Sequence, residues 1–316
     1  MRIAVASGKG GTGKTTVAVS LALSLMEGDV EAAGGFPPPL LVDCDVENPN
    51  AHLFLHPELH EMVPATVLVP RVDLSRCTMC GECAEACRFN AIALLGDKVC
   101  LFPELCHGCG SCGLVCPVDA ISEVPREIGL IEAGHVGGLG FAKGSLKVGE
   151  PLAVPVIKQL KASADMSPER IRILDAPPGT SCPMVETVAG ADFVILVTEP
   201  TPSGLHDLDL ADQVLRQMGL PAGVVVNRDG TGYDDLDKFC ETKGLPVLLR
   251  IPFDRGIAKG LAQGTPLVWI RPEYRSSFSR MATEIQTMIS AVRPSRAGSQ
   301  AKVQRDWEVT GKGRAP

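Results

Sequence analysis

The stretch GKGGTGKTT at residues 8–16 constrains the fold of this chain more than any other feature. It follows a short apolar run, RIAVAS (2–7), and leads into KTTVAVSLALSLM (14–26), which has the composition of a helix. A G-x-x-x-x-G-K-[S/T] loop between a strand and a helix binds phosphate, because its backbone N–H groups converge on an anion at the amino end of the helix. The order predicts the first strand–loop–helix unit of an α/β domain.

Later parts of the chain continue this alternation of strands and helices. Helical stretches near 204–218 and 255–264 alternate with apolar runs, and a last helix is expected at 273–293. Unbroken Val/Ile/Leu strands indicate a mostly parallel sheet covered by helices on both faces. The further strands are predicted at PLLVDCD (39–45), IRILDAP (171–177), DFVILVTEP (192–200), AGVVVNR (222–228) and LPVLLRIP (245–252).

Two cysteine runs, CTMCGECAEACRFNAI (77–92) and CHGCGSCGLVCPVDAI (106–121), repeat at an offset of 29 residues. The pattern C-x₂-C-x₂-C-x₃-C is that of bacterial ferredoxins, in which the fourth cysteine ligates the other cluster. Two [4Fe–4S] clusters are therefore predicted, one on Cys77, Cys80, Cys83 and Cys116 and the other on Cys106, Cys109, Cys112 and Cys87. Zinc is the alternative, although zinc sites rarely use three cysteines of one such short run.

The cysteine runs interrupt the α/β pattern, so they are expected to form an inserted α+β ferredoxin-like domain at 66–130. The surrounding P-loop domain is predicted to comprise 1–65 and 131–293. Residues 27–39 are expected to be a solvated loop, the glycine-rich segment 135–150 a mobile connector, and 294–316 a disordered tail.

Lys9, a second lysine within GKGGTGKT, makes the loop resemble the deviant Walker ATPases of the MinD/ParA/Mrp family, which includes the nitrogenase iron protein. DCDVENPN (43–50) resembles switch I of that family, and DAPPGT (175–180) resembles its Walker B motif with switch II. The resemblance implies hydrolysis of ATP with Mg²⁺. It also implies an ATP-dependent homodimer, or a heterodimer with a paralogue, in which the early lysine contacts the partner's phosphates.

The resemblance assigns roles to individual residues. Catalytic roles fall to Lys9, Lys14, Asp45 and Asp175, and Mg²⁺ would be held by Thr15, Asp45 and Asp175. The Gly179 amide would sense the γ-phosphate, while Asn227, Arg228 and Pro252 would frame the adenine. The full set of nucleotide contacts is Gly8, Gly10, Gly11, Thr12, Gly13, Lys14, Thr15, Thr16, Asn50, Gly179, Asn227, Arg228 and Pro252.

Some residues keep two interpretations. The loop also satisfies the dinucleotide fingerprint G-x-G-x-x-G, but that fingerprint gives Lys14 and Thr15 no role. Asp43 is either a nucleotide-site residue or an acid that ends a strand. Cys182 lies where the nitrogenase iron protein carries one of two bridging cluster cysteines; the second is missing near 147, so a packing or redox-sensitive role is the alternative.

The remaining cysteines and histidines have ordinary explanations. Cys44, Cys100 and Cys240 are expected to be buried, inert thiols. His52, His107 and His135 are isolated in the sequence and are expected to be structural or surface residues.

Charge and hydropathy bound the possible functions. The net charge is −7 and no apolar run reaches the roughly 18–20 residues that cross a bilayer. No nucleic-acid partner and no membrane span are therefore expected, and the location is predicted to be cytoplasmic. The first functional hypothesis is an ATP-gated switch that transfers electrons to a redox partner through two clusters. The alternatives are an ATP-dependent scaffold or carrier that supplies an apo-protein acceptor, and a MinD/ParA-like positioning ATPase.

Overall fold

The computed structural model describes residues 1–26, 38–164, 171–230, 233 and 235–291. Its strands form a nine-stranded sheet, with the order β11-β10-β9-β1-β8-β2-β7-β6-β3, and a separate two-stranded sheet, β4-β5. The strands are β1 (Arg2–Ala6), β2 (Pro39–Asp43), β3 (Glu58–Val72), β4 (Ile92–Leu95), β5 (Lys98–Leu101), β6 (Ile121–Val136), β7 (Leu139–Leu146), β8 (Ile171–Asp175), β9 (Phe193–Thr198), β10 (Ala222–Asp229) and β11 (Val247–Pro252).

Seven strands of the large sheet, from β11 to β7, are parallel, and all six strands predicted from apolar runs are among them. Apolar clusters cover both faces of the sheet, as such runs require. The helices are α1 (Lys14–Met26), α2 (His52–Leu55), α3 (Glu82–Ala86), α4 (Ser111–Leu114), α5 (Ala153–Ala164), α6 (Cys182–Val188), α7 (Pro202–Gln217), α8 (Asp235–Lys243), α9 (Arg255–Ala262), α10 (Leu267–Ile270) and α11 (274–291).

Strands β3 and β6 form a long antiparallel ribbon that extends the main sheet through β7. The domain boundaries expected at 65/66 and 130/131 lie inside these two strands, so the chain passes from the parallel sheet to the cysteine segment without a linker. The prediction of a mobile connector at 135–150 is wrong. Strands β6 and β7 form a hairpin there, with Gly137 and Gly138 in its two-residue turn, and Gly137 has a φ of +55°.

Residues 73–120, named here the cysteine lobe, lie at the tip of the ribbon. The lobe contains the β4–β5 hairpin, the short helices α3 and α4 and a 3₁₀ turn at Pro103–Leu105. Its backbone repeats with the 29-residue offset of the sequence. Gly81 and Gly110 precede α3 and α4 with φ of +83° and +72°, and Asn90 and Asp119 have φ of +53° and +48°. The duplication therefore extends to the conformation of the turns.

The predictions of a disordered tail and of a solvated loop concern residues outside those that the structure describes. The tail at 294–316 and nearly all of the loop at 27–39 lie outside the described residues. Within the part of the chain that is described, no helix combines the length and the apolar character needed to cross a bilayer.

Candidate functional site

A cavity of about 600 Å³ lies at the carboxyl ends of the parallel strands, beside the loop that joins β1 to α1. Most of the predicted nucleotide contacts meet there. The predicted residues that line the cavity are Gly10, Gly11, Gly13, Lys14, Thr15, Thr16, Asp45, Asn50, Asn227, Arg228 and Pro252. Gly8, Lys9, Thr12, Asp175 and Gly179 are not among the lining residues.

The loop at 8–16 takes a conformation that depends on glycine. Gly11 and Gly13 have φ of +78° and +97°, a region that residues with a Cβ rarely adopt. The Asn227 side-chain amide donates to the Thr12 carbonyl at 2.7 Å, and a Cβ on Gly13 would overlap that amide. Asn227 therefore fixes the loop itself, a contact that its predicted role beside the adenine did not include.

Lys14 is the buried cation of the cavity, with 7% of its surface exposed. Burial lowers the pKa of Lys14, and the nearby carboxylates of Asp175 and Asp45 act in the opposite direction. The two acids that face this buried lysine thus favour its charged form, the form that binds phosphate, against the effect of burial.

Asp175, at the end of β8, is fully buried. Burial raises the pKa of Asp175 well above its ordinary value, and the Asp43 charge adds to the effect. Neither carboxylate oxygen has a hydrogen bond of good geometry, although the Thr15 hydroxyl lies close enough to favour the charged form. A buried carboxylate without donors needs a cation, so Thr15 and Asp175 fit a divalent metal ion.

Asp43 organises the segment that follows β2. Its carboxylate accepts the backbone N–H groups of Asp45 at 3.2 Å, Asn50 at 2.9 Å and Ala51 at 3.0 Å. Burial raises the pKa of Asp43 to about 6, while these hydrogen bonds favour the charged form. Asp43 therefore shapes segment 43–50 from inside, and it lies directly opposite Asp175 on the neighbouring strand β8. Of the two interpretations that the sequence left open for Asp43, these contacts favour the acid at the strand end, although the sequence did not indicate which amides it would accept.

Three predicted residues make other contacts. The Lys9 Nζ donates to the Ser203 hydroxyl at 3.0 Å and lies 3.8 Å from a Glu199 oxygen, so the lysine folds back onto α7. The Gly179 amide donates to the Ser7 carbonyl at 3.1 Å. Gly8 packs against the Asp207 backbone so closely that a Cβ would overlap its carbonyl.

Apolar side chains form the opposite wall of the cavity, and sequence reasoning missed them. They are Leu53, Phe54, Phe253, Ile257 and Leu261. Phe253 follows Pro252 directly, so the motif IPFD could have indicated that Phe253 lines the cavity. Leu53 and Phe54 belong to the short helix α2, and no sequence motif indicated their position. Such a wall is suited to a flat ring such as a nucleobase.

The cysteine lobe contains two small cavities that divide the cysteines as predicted. One is lined by Cys77, Cys80, Cys83 and Cys116, and the other by Cys87, Cys106, Cys109 and Cys112. Equivalent backbone amides reach the fourth cysteine of each run: Ala91 N–H donates to Cys87 Sγ at 3.3 Å and Ala120 N–H to Cys116 Sγ at 3.2 Å. Each fourth cysteine is therefore held at the cavity of the other run.

The spacing of the cysteine sulfur atoms bears on the two candidate metal groups, a single zinc ion and an iron–sulfur cluster. Four thiolates 2.3 Å from one zinc ion would lie about 3.8 Å from one another. In the described part of the chain, which includes all eight cysteines, no three cysteine sulfurs lie within 4.8 Å of one another. The sulfur atoms of each quartet are therefore spaced more widely than the four thiolates of a single zinc ion.

The other cysteines and histidines divide into confirmed and revised predictions. Cys44 and Cys240 are buried, as expected, and Cys100 is half-buried on β5. Cys182 is exposed at the first position of α6. His135 is exposed, as expected of a surface residue, but its Nε2 lies 3.2 Å from His60 Nε2 across the ribbon, a contact that the sequence did not indicate.

Comparisons with known proteins agree with the fold. The family model described as the CobQ/CobB/MinD/ParA nucleotide binding domain matches residues 3–267. The uncharacterized protein MJ0578 of Methanocaldococcus jannaschii is 33% identical over 266 residues, which cover 83% of this chain and 88% of that protein.

A second relative bears a functional name. The iron-sulfur cluster carrier protein of Pyrococcus abyssi is 26% identical over 285 residues, which cover 84% of this chain and 79% of that protein. Among solved structures, the septum site-determining protein MinD of Pyrococcus horikoshii, complexed with Mg-ADP, superposes with a TM-score of 0.55 at 20% identity. The match covers 91% of this chain and 96% of that one, and it shows that the fold is shared.

Proposed function

This chain belongs to the CobQ/CobB/MinD/ParA nucleotide-binding family, and we propose that it is an ATPase whose nucleotide state is coupled to two [4Fe–4S] clusters in its cysteine lobe. The observation that carries the proposal is the pairing of the two sites in one sheet. Segment 43–50 lies at the nucleotide cavity and contacts strand β7. The ribbon of β3 and β6, which bears the cysteine lobe, is hydrogen-bonded to the same strand β7.

Hydrolysis would depend on the charged side chains beside the loop at residues 8–16. Lys14 is aimed into the cavity, where charge develops on the phosphoryl oxygens during transfer, and its burial strengthens that interaction. Asp175 and Thr15 would hold Mg²⁺, which supplies further charge neutralisation on the phosphates. Asp45 lines the cavity and is the acid best placed to orient a water molecule.

The cysteine lobe would hold the clusters on its eight paired cysteines. When bound, the clusters supply two one-electron carriers. The amides of Ala91 and Ala120 donate to cysteine sulfur, and such hydrogen bonds are one of the means by which a protein sets cluster potential.

A short chain of backbone contacts leads from one site to the other. The Leu146 N–H, at the end of β7, donates to the Val46 carbonyl at 2.8 Å. The next amide, of Lys147, donates to the Ile128 carbonyl of the ribbon at 2.9 Å. Gly144 lets Val46 pack directly against β7, because a Cβ there would collide with the valine. A shift of segment 43–50 would therefore be felt by the ribbon.

The coupling is tested by redox titration of the anaerobically purified protein, followed by EPR, with ADP and with a non-hydrolysable ATP analogue. We expect the midpoint of at least one cluster to differ by more than about 30 mV, or roughly 0.7 kcal/mol for one electron, between the nucleotides. The Lys14→Gln variant is the control and should show no difference. Equal midpoints for both nucleotides in the wild type would contradict the proposal.

A second candidate function is cluster delivery, because Cys80 and Cys109 are exposed to solvent and a thiolate acceptor could reach them. A relative named as an iron-sulfur cluster carrier also favours this candidate. Delivery predicts that iron moves to an apo-ferredoxin acceptor and that nucleotide changes the rate of transfer. Electron transfer predicts that iron stays with this chain while the acceptor is reduced, so iron analysis after separation distinguishes the two functions.

Lys9 is proposed to act across a dimer, since its amine is outside its own cavity. The ATPase rate per chain should rise with protein concentration, and Lys9→Ala should lower the rate at high concentration about tenfold or more and remove the dependence. Ser203→Ala removes the intramolecular hydrogen-bond partner of Lys9 and leaves the lysine and its neighbour Glu199 in place, and this variant should retain the dependence. A wild-type rate per chain that is constant with dilution below micromolar concentration would exclude this role.

A further inference from the structure

Three metal-ligating side chains come together at the end of the ribbon opposite the cysteine lobe. Glu58 on β3 lies directly across from His135 on β6. The Nε2 atoms of His60 and His135 are 3.2 Å apart, and their rings are tilted by 47°. One ligand atom from each of Glu58, His60 and His135 lies within 4.8 Å of the other two.

A β-bulge brings His60 into this group. The register passes from Leu59 opposite Gly134 to Glu61 opposite Ala133, so His60 is the extra residue on β3. A bulge redirects a side chain out of the regular alternation of a strand. Gly134 allows the close approach, because a Cβ at that position would overlap the Glu58 carbonyl oxygen. The backbone is thus shaped to hold the three side chains together.

We propose that Glu58, His60 and His135 form a binding site for a zinc-type divalent cation, which fastens β3 to β6 at the bulge. Two imidazole nitrogens 2.0–2.1 Å from a tetrahedral zinc ion lie about 3.3 Å apart, close to the observed 3.2 Å. Two histidines and one carboxylate are ligands that zinc accepts, and they leave a fourth position open. The histidines line a cavity of about 470 Å³, which gives a fourth ligand access.

A hydrogen bond between two neutral imidazoles would also give a short distance between the ring nitrogens. It would give no role to Glu58, one of whose carboxylate oxygens lies within 4.8 Å of a ring nitrogen of each histidine. The cation explains the position of all three groups. The proposal does not depend on ATP hydrolysis or on the function of the cysteine lobe.

The site is tested by equilibrium dialysis of the full-length, anaerobically purified protein against buffered Zn²⁺, with zinc and iron measured per chain. The variants are His135→Asn and Glu58→Gln, and the control is His206→Asn, which removes another exposed histidine, on α7. Only preparations of equal iron content are compared. Any zinc bound in empty cysteine sites is then the same in all proteins and does not contribute to the difference between them.

We expect the wild type and His206→Asn to bind one zinc ion more than His135→Asn, with affinity for that ion reduced at least about 100-fold by either ligand substitution. Glu58→Gln keeps the size of the side chain, so its loss of zinc would not come from misfolding. Equal zinc content in all four proteins would overturn the proposal, as would a loss in His206→Asn as large as in His135→Asn.

Cobalt gives a second, spectroscopic test on the same proteins. Co²⁺ bound by nitrogen and oxygen shows weak visible bands and no intense thiolate charge-transfer band in the near ultraviolet. Such weak bands are expected in the wild type and should be absent from His135→Asn. Thiolate bands from the additional cobalt ion would show that this ion is bound by cysteine, and they would contradict the site on the ribbon.

Discussion

Replacing Lys14 by glutamine is expected to lower the rate of ATP hydrolysis about a thousandfold. Lys14 is the buried lysine of the cavity, and the nearby Asp175 and Asp45 favour its charged form. A fixed charge in a site shielded from water stabilises a phosphoryl-transfer transition state far more than it would in water, and losing one such group typically costs about 10²–10³ in rate. Steady-state phosphate release with saturating Mg-ATP measures the effect.

The matched control for this substitution is Lys147→Gln. Lys147 is a surface lysine paired with Glu127 on the ribbon, 3.2 Å away, and its side chain is about half exposed. Loss of that pair should change the rate by less than about twofold, since exposed ion pairs contribute little. A Lys14→Gln variant that retained a tenth of the wild-type rate would show that hydrolysis occurs without the buried lysine.

The second large effect is expected from paired cysteine substitutions. If the fourth cysteines cross over, Cys77→Ala combined with Cys116→Ala removes two ligands of one cluster and leaves the other intact. Total iron should then fall from about eight to about four atoms per chain. Cys77→Ala combined with Cys87→Ala removes a ligand from each cluster, and nearly all iron should be lost.

The opposite assignment, with each run binding its own cluster, reverses the two results. Iron analysis of the two double variants therefore decides between them without a crystal. Cys100→Ala is the control, because Cys100 lines neither cavity and should keep all of the iron. Both double variants with about four irons per chain would contradict either arrangement.

The parallel sheet could be predicted because its strands are buried on both faces. The run FVILV at 193–197 in β9 has no polar residue, and few structures other than a central parallel strand can bury it. The cysteine division could also be predicted, because the spacing of three ligands on one tight loop leaves the fourth to come from the other run.

The ribbon could not be predicted in the same way. Strand β3 mixes exposed and buried positions, contains two prolines and shows no regular alternation. Strand β7 has glycine at 140 and 144, and the sequence suggested a loop instead, although the small size of Gly144 serves the close approach of Val46 and Val156. The signal that was present, two glycines between apolar residues at 136–139, is typical of a hairpin turn.

The contacts of Lys9 and His60 were beyond sequence reasoning for a different reason. Lys9 meets Ser203, which is 194 positions away, and His60 meets His135 through a bulge that no local pattern marks. Pair contacts of this kind depend on strand order and register. Neither is fixed by the residues next to the side chain.

The half of the ribbon that bears the cysteine lobe affects how far the lobe moves when the ribbon rotates. Strand β6 pairs with β7 only from Gly129 onward, so Ile121–Ile128 extend past β7 with β3 as their only strand neighbour. At about 3.4 Å per residue, this overhang is a lever of about 27 Å. Its fulcrum is a second bulge at Ile128, where Gln159 of α5 exchanges two hydrogen bonds with the Thr66 backbone. A rotation of about 5° at the fulcrum would carry the cysteine lobe about 2 Å, so a small rotation at this point would be amplified at the tip of the ribbon.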